Sequence, residues 1–309
     1  MLGLLTFLGR HATTAMAVGV FVALAVPTLA ELIRPLLIPT IIGMMVLSIL
    51  RLDPQDILLS LKSPKMMLPA LAFMLLVCPF IGVAAAKGLD LSPGIAIALV
   101  VWCASPPLVS VTAIANIVGL DGALTLVLMA LGGLIMPLTL PPIVLGLLEL
   151  QIDIPVLELM GRLVAILVGT VILSRILRAA IGAERLARNT ETIDGLFVIL
   201  MVLFAFGVMD GVTDLALDDP KRLLFLLAVV FGSSLLLQLL GFLIFLWLGR
   251  RAAATIGLTV GSRNMAIVLS AAPAAFPQDV FIYLALLQFP IYLLPALLRP
   301  IYRRISAAD

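Results

Sequence analysis

Thr255 to Ala272 read TIGLTVGSRNMAIVLSAA, an apolar run interrupted in its middle by Gly261, Ser262, Arg263 and Asn264. A guanidinium near the centre of a membrane-spanning helix costs about 2.5–3.5 kcal/mol on insertion scales. The neighbours of Arg263 suggest what offsets that cost. Gly261 lets the backbone leave helical geometry, and Ser262 and Asn264 are suited to cap a second helical half beginning near Met265. The stretch reads as a broken transmembrane helix. Irregular backbone at membrane depth is tolerated only where its freed N–H and C=O groups meet protein or a water-filled cavity, so the break is expected to line a site. The competing reading has Arg263 snorkelling to a surface or forming a purely structural pair.

The composition agrees with a membrane setting. The chain has 309 residues, 63% of them hydrophobic and 12% charged, with a mean hydropathy of +1.28, far from the soluble globular norm. This is an all-α polytopic protein of the lipid bilayer. Cys78 and Cys103 both lie in apolar stretches, which argues for buried thiols and against a disulfide framework. His11 is the only histidine, so no metal cluster and no cofactor is expected; the net charge of +2 is too small to imply nucleic acid.

Spans of roughly 20 apolar residues are read at 12–30, 33–50, 66–87, 92–118, 122–148, 155–181, 193–210, 222–249, 252–276 and 280–298, which makes ten helices in one integral unit, 1–309. The first has Arg10 and His11 before it, as a signal peptide would, but its apolar run is long for one. Of the nineteen Lys and Arg, thirteen fall on the amino-terminal side of these spans and five on the other, with Arg263 inside. The positive-inside rule places both termini in the cytoplasm, in the inner (plasma) membrane. Leu52 to Pro64 is too short and polar to span and reads as an interfacial helix.

Five helices end near Leu148 and five follow, so 1–150 and 151–309 form two repeats, the second inverted relative to the first. The fourth helix carries an interruption that corresponds to the one in the ninth: Ser105, Pro106, Pro107, Leu108, Val109, Ser110, Val111, Thr112, where consecutive prolines remove backbone donors. Paired breaks in corresponding helices of an inverted repeat point to a transport site at the midplane.

The chain resembles the bile acid:sodium symporters. The likeness rests on Lys62 to Lys65 leading into a helix with Pro79, on Trp102 to Pro107, the Gly119 to Leu124 turn with Asp121, Pro137, and Val260, Gly261 and Asn264, in order and at matching spacing. The resemblance implies ten transmembrane helices in two inverted five-helix repeats. Helices 4 and 9 are broken and crossing, helices 1, 2, 6 and 7 form a panel, and helices 3–5 and 8–10 form a core. Substrate would bind between panel and core beside the crossing.

The departures from that family are as telling as the matches. The ninth-helix motif Glu-Val-Gly-x-Gln-Asn is here Thr259, Val260, Gly261, Ser262, Arg263, Asn264, so an acid has become a hydroxyl and an amide a cation. Val111 and Thr112 stand where the family has a serine and an asparagine that ligate sodium, Met74 where it has a glutamine, and Met129 and Gly133 near its fifth-helix hydroxyls. Sodium wants several hard oxygens, and most are gone; the ion is possible but not favoured. Arg263 is therefore expected to be a built-in charge where the family uses bound sodium, holding a small organic anion through a carboxylate or similar oxyanion, bidentately. The half-helix N-termini are expected to point at the same cavity. Asn264 and Ser262 satisfy the broken backbone and touch substrate; Pro106, Pro107 and Gly261 keep the breaks open. Ser105, Ser110 and Thr112 offer hydroxyls unless these bond their own helix; Thr259 and Asn116 are weaker candidates, and Gly132, Gly133, Gly207 and Gly211 serve packing or bending.

A secondary transporter of organic anions working by alternating access, sodium-independent, is the expectation. One alternative is a sodium-coupled symporter using carbonyls with Thr112, Thr259 and Asn264; another is a membrane receptor that binds the anion without moving it. No His/Asp/Glu constellation lies in the spans, which argues against an enzyme, and no polar stripe suggests a channel.

Overall fold

A computed structural model describes residue 22 and residues 32–51, 64–147, 154–209 and 211–307. The first span, 12–30, and the segment Leu52 to Pro64 lie outside the described residues except at residues 22 and 64. Among the described residues the chain is predominantly helical and contains no strand. Six stretches of the described residues are long and apolar enough to cross a bilayer: Met66–Gly88, Gly122–Leu147, Val156–Ile181, Thr190–Val208, Pro220–Ile244 and Gln278–Ala307.

The chain divides into two compact units. The first takes in Met1–Leu52 and Val164–Leu223. Helix α1 (Leu37–Arg51) runs here after a 3₁₀ turn, Arg34–Leu36, in which Pro35 starts the winding. We number the other helices in chain order: α2 (Pro64–Ala72), α3 (Cys78–Gly88), α4 (Pro93–Ala104), α5 (Val111–Val118), α6 (Gly122–Leu147), α7 (Val156–Ile181), α8 (Ala183–Arg188), α9 (Thr190–Val208), α10 (Val212–Asp218), α11 (Pro220–Ile244), α12 (Arg250–Val260), α13 (Ala266–Ala271) and α14 (Gln278–Ala307). In the first unit α1 packs on α9, with Gly43 against Leu200 and Gly207 against Leu37. The Ser174 hydroxyl of α7 donates to Val46 O, 2.8 Å away, which ties α7 to α1 where no water is available to satisfy a hydroxyl.

The second unit takes in Asp53–Leu163 and Leu224–Asp309. Prolines and glycines set its element ends. Pro93 opens α4, Gly119 closes α5 in the left-handed region at φ 87°, and the Asp121 carboxylate accepts from Leu124 N–H to cap α6. α3 and α4 lie so close that a Cβ on Gly82 would stand 3.0 Å from Cys103 Sγ. α11 and α12 approach backbone to backbone, since a Cβ on Gly257 would meet Gln238 O at 2.5 Å and one on Gly241 would meet Gly257 Cα at 2.9 Å.

The fourth and ninth spans are each two half-helices, α4 with α5 and α12 with α13, interrupted where the sequence places the breaks. One element differs from the sequence reading: the last helix runs on to Ala307 rather than ending near 298. Residues 299–307 carry three arginines, yet Tyr302 is buried and the Ser306 hydroxyl donates to Gly119 O at 2.6 Å, so one face of this segment turns inward.

Candidate functional site

The proline after Cys78 decides the first part of the site. Residues Phe73–Val77 form a π turn, in which Cys78 N–H donates five residues back to Phe73 O. In that register Met74 O would accept from residue 79, which is proline and has no N–H to give. Met74 O is left without a helical partner. The same accounting holds at the breaks. Ser105 is the C-cap of α4 and is extended, at ψ 156°, so the helix ends there and Ser105 O has no N–H one turn on to accept from. Val260 O would accept from Asn264 N–H in a continuing helix, but that group donates to Pro106 O at 2.8 Å instead.

All three orphaned carbonyls meet one side chain. Arg263 Nη1 donates to Met74 O and to Ser105 O, each at 2.9 Å, and Nε donates to Val260 O. Arg263 is 1% exposed, so it neither snorkels nor reaches a surface. The Cys78 thiol lies beside the guanidinium. Two of the three carbonyls come from the C-terminal ends of half-helices, the negative ends of their dipoles, which favour a cation. The loose ends at a break are carbonyls on one side and N–H groups on the other, and the cation sits with the carbonyls.

The breaks themselves cross as a short antiparallel pair. Pro107 faces Arg263, Leu108 N–H donates to Ser262 O at 2.9 Å, and Asn264 N–H donates to Pro106 O. Pro107 packs on Gly132, where a Cβ would stand 3.1 Å from its ring. Gly133, by contrast, faces open space.

The other candidate residues are distributed unevenly. Ser262 and Asn264 lie at the crossing, but neither side chain caps α13, whose N-cap is Met265 without a side-chain bond. Their backbone groups satisfy the break. The Ser105 hydroxyl bonds Val101 O of its own helix at 2.7 Å, so Ser105 contributes its carbonyl and not its hydroxyl. Thr259 is fully buried and donates to Thr255 O at 2.7 Å. Ser110 precedes α5 without capping it, and Asn116 lies at the far end of that helix, packed against Gly122. Gly261 has an ordinary φ of −87°, so its role is close approach and not conformational freedom.

Three buried side-chain atoms have no hydrogen-bond partner among the described residues: Trp102 Nε1, Thr112 Oγ1 and Arg263 Nη2. All three belong to the two broken helices. A buried unpaired donor costs about 1–3 kcal/mol. Thr112→Val, which removes such a hydroxyl at constant shape, is expected to raise the thermal midpoint of the purified protein while weakening substrate uptake. A fall in the midpoint would show that the hydroxyl is satisfied within the fold.

Sequence reasoning missed Ser234, Gln238 and Tyr302. The Ser234 hydroxyl donates to Gly261 O at 2.7 Å, Gln238 Nε2 donates to Ser234 Oγ at 3.4 Å, and the Tyr302 hydroxyl donates to Gln238 Oε1 at 2.5 Å. A signal existed. Ser234 and Gln238 are polar residues four apart in a leucine-rich span, on one helical face, with Gly241 three further on.

The profile of the Sodium Bile acid symporter family matches residues 38–211, more than half of the chain. The chain belongs to that family. No curated protein matches it. Members of the sodium bile acid symporter family are transporters and carry organic anions such as bile acids, and this member is an integral membrane protein with apolar spanning helices. The family match takes in the π turn, the α4–α5 break and α6, and ends before the segment that carries Arg263. What that segment adds is therefore read from its own geometry.

Proposed function

We propose that this member of the sodium bile acid symporter family is a secondary transporter of small organic anions that works by alternating access without sodium, with Arg263 as its fixed positive charge. The single observation behind this reading is the guanidinium held by Met74 O, Ser105 O and Val260 O. Convergent backbone carbonyls are the ligands that a hard cation takes when its water is removed. Here they are occupied by a cation that is part of the chain and cannot leave.

The same geometry refines how an anion is held. Nε and both N–H groups needed at Nη1 are committed to carbonyls, so a bidentate grip on a carboxylate is closed to Arg263 in this conformation. Nη2 remains, buried and without a hydrogen-bond partner among the described residues. The arginine acts on the anion through this donor and through its field in a low-dielectric surrounding, assisted by Thr112. Asn264, half-buried, presents a polar group beside it, while Ser262 is buried in the break.

The ten-helix inverted repeat, 1–150 and 151–309, belongs to this proposal. The paired breaks and the division into two units, one holding the second and seventh spans and the other the third to fifth and eighth to tenth, support it. Cytoplasmic termini in the inner (plasma) membrane follow from the distribution of Lys and Arg.

The test is uptake of a radiolabelled bile acid, with other small organic anions beside it, into liposomes holding the purified protein, with sodium or potassium as the only cation. Equal saturable uptake in the two salts is the expected result. Uptake that demands sodium would assign the coupling to the family's ordinary mode, and saturable binding without flux would make the protein a receptor.

A further inference from the structure

The Arg263 break is held from two sides, and only one of them is the crossing with α4–α5. The other is α11. Gly261 lies against it so closely that a Cβ would stand 2.3 Å from Gln238 Cγ and 2.7 Å from Ser234 O. From that contact a chain of hydrogen bonds runs in one direction: Tyr302 O–H to Gln238 Oε1, Gln238 N–H to Ser234 Oγ, Ser234 O–H to Gly261 O. Tyr302, Gln238 and Ser234 are 6%, 7% and 3% exposed. Such a chain has one arrangement in which each member is satisfied, because Gln238 has one acceptor and one type of donor to offer and both ends are spoken for. Reversing the amide would place an NH₂ against the tyrosine hydroxyl and an oxygen against the serine, and Gly261 O would lose its donor.

We infer that Gln238 and Tyr302 are positioning residues for Arg263. Gly261 O is the carbonyl at the end of α12, two residues before the arginine, and its direction sets the peptide plane from which the chain turns to reach Arg263. Fixing that plane through Ser234 fixes where the guanidinium meets Met74 O and Ser105 O. A hydrophobic α11 would pack Gly261 as closely but would leave its carbonyl unsatisfied and free to rotate. The relay also joins the break to the C-terminal part of α14, whose Ser306 holds Gly119 O at the end of α5. One helix thus braces both broken helices.

This inference rests on the reading of Arg263 as the fixed charge, and its test is separate from flux. Full-length protein in detergent is treated with butanedione, and modification is quantified by mass spectrometry at Arg263 and at the half-exposed Arg162 as internal standard. Wild-type Arg263 is expected to be protected. Tyr302→Phe and Gln238→Leu are each expected to raise the Arg263 rate about tenfold, the factor that loss of one buried hydrogen bond supplies, with Arg162 unchanged. Gln238→Glu, protonated in this apolar setting, offers Tyr302 the same acceptor and Ser234 the same donor and is expected to restore protection. The double variant Tyr302→Phe/Gln238→Leu is expected to match Gln238→Leu alone, because both act through one chain. Arg263 equally protected in Tyr302→Phe and Gln238→Leu overturns the inference, as does a rise shared by Arg162, which would mean general loosening. Should Gln238→Leu fail to fold, Tyr302→Phe, which removes one oxygen, decides it. Whether bile acid uptake needs Arg263 is read from Arg263→Ala and bears on the transport proposal alone.

Discussion

Arg263→Ala is expected to abolish substrate-dependent uptake and to lower the thermal midpoint of the purified protein, with added guanidinium ion restoring part of both. The substitution removes the guanidinium that donates to Met74 O, Ser105 O and Val260 O. A buried polar group left unmade costs about 1–3 kcal/mol, so three orphaned carbonyls together cost about 3 kcal/mol or more. The space vacated has the planar shape of guanidinium, which is why that ion is the probe. Lysine at 263 is expected to recover less than free guanidinium does, because an ammonium is a compact point charge and cannot present the flat fork that reaches three carbonyls from different helices. The alanine variant carries a second expectation. With the tethered cation gone, the carbonyls offer a vacant cation site, so sodium is expected to stabilise the variant and not the wild type. Uptake at wild-type rates by Arg263→Ala would sink the fixed-charge proposal; an unchanged midpoint would show that the carbonyls find other partners.

Gly261→Ala is expected to be nearly as damaging although it adds one methyl group and no charge. That carbon would fall 2.7 Å from Ser234 O, a backbone atom of a packed helix, and 2.3 Å from Gln238 Cγ, near the base of a side chain fixed at both ends by hydrogen bonds. Neither gives way without moving α11 or the break. Overpacking of this kind costs about 1–3 kcal/mol, and the absence of a flexible neighbour places Gly261→Ala at the upper end. Gly133→Ala is the control, since nothing stands within 4 Å of its Cβ, and is expected to be close to neutral. Thermal midpoints of the two variants, measured side by side in one detergent, make the comparison. A Gly261→Ala protein as stable as Gly133→Ala would mean that α11 and α12 part easily, and the brace on the break would lose its physical basis.

Much of the fold is legible from one dimension. Hydropathy locates the spans and prolines locate the interruptions, because each depends on residues adjacent in the chain. Pro79 goes further: a missing N–H at 79 is a fact of the sequence, and once the π turn is known it leaves Met74 O free. The last helix was read short because arginines at 299, 303 and 304 lower the local hydropathy, while the inward face they share a helix with, Tyr302 and Ser306, is visible only in three dimensions.

By itself the sequence determined that this is an all-helical membrane protein, that two of its spans are broken, and that a cation sits at one break. These follow from the solvent the chain must live in and from backbone chemistry at Pro, Gly and Arg. Only the tertiary structure decided what the cation touches. Backbone carbonyls are identical at every residue, so nothing in the letters at 74, 105 and 260 marks them as partners of 263, and the relay through Ser234, Gln238 and Tyr302 joins residues 27 and 64 positions apart. Which orphaned group meets which donor is settled by the packing of α4, α11, α12 and α14 and the π turn, where every buried polar atom that lacks a neighbour in its own helix has to find one in another.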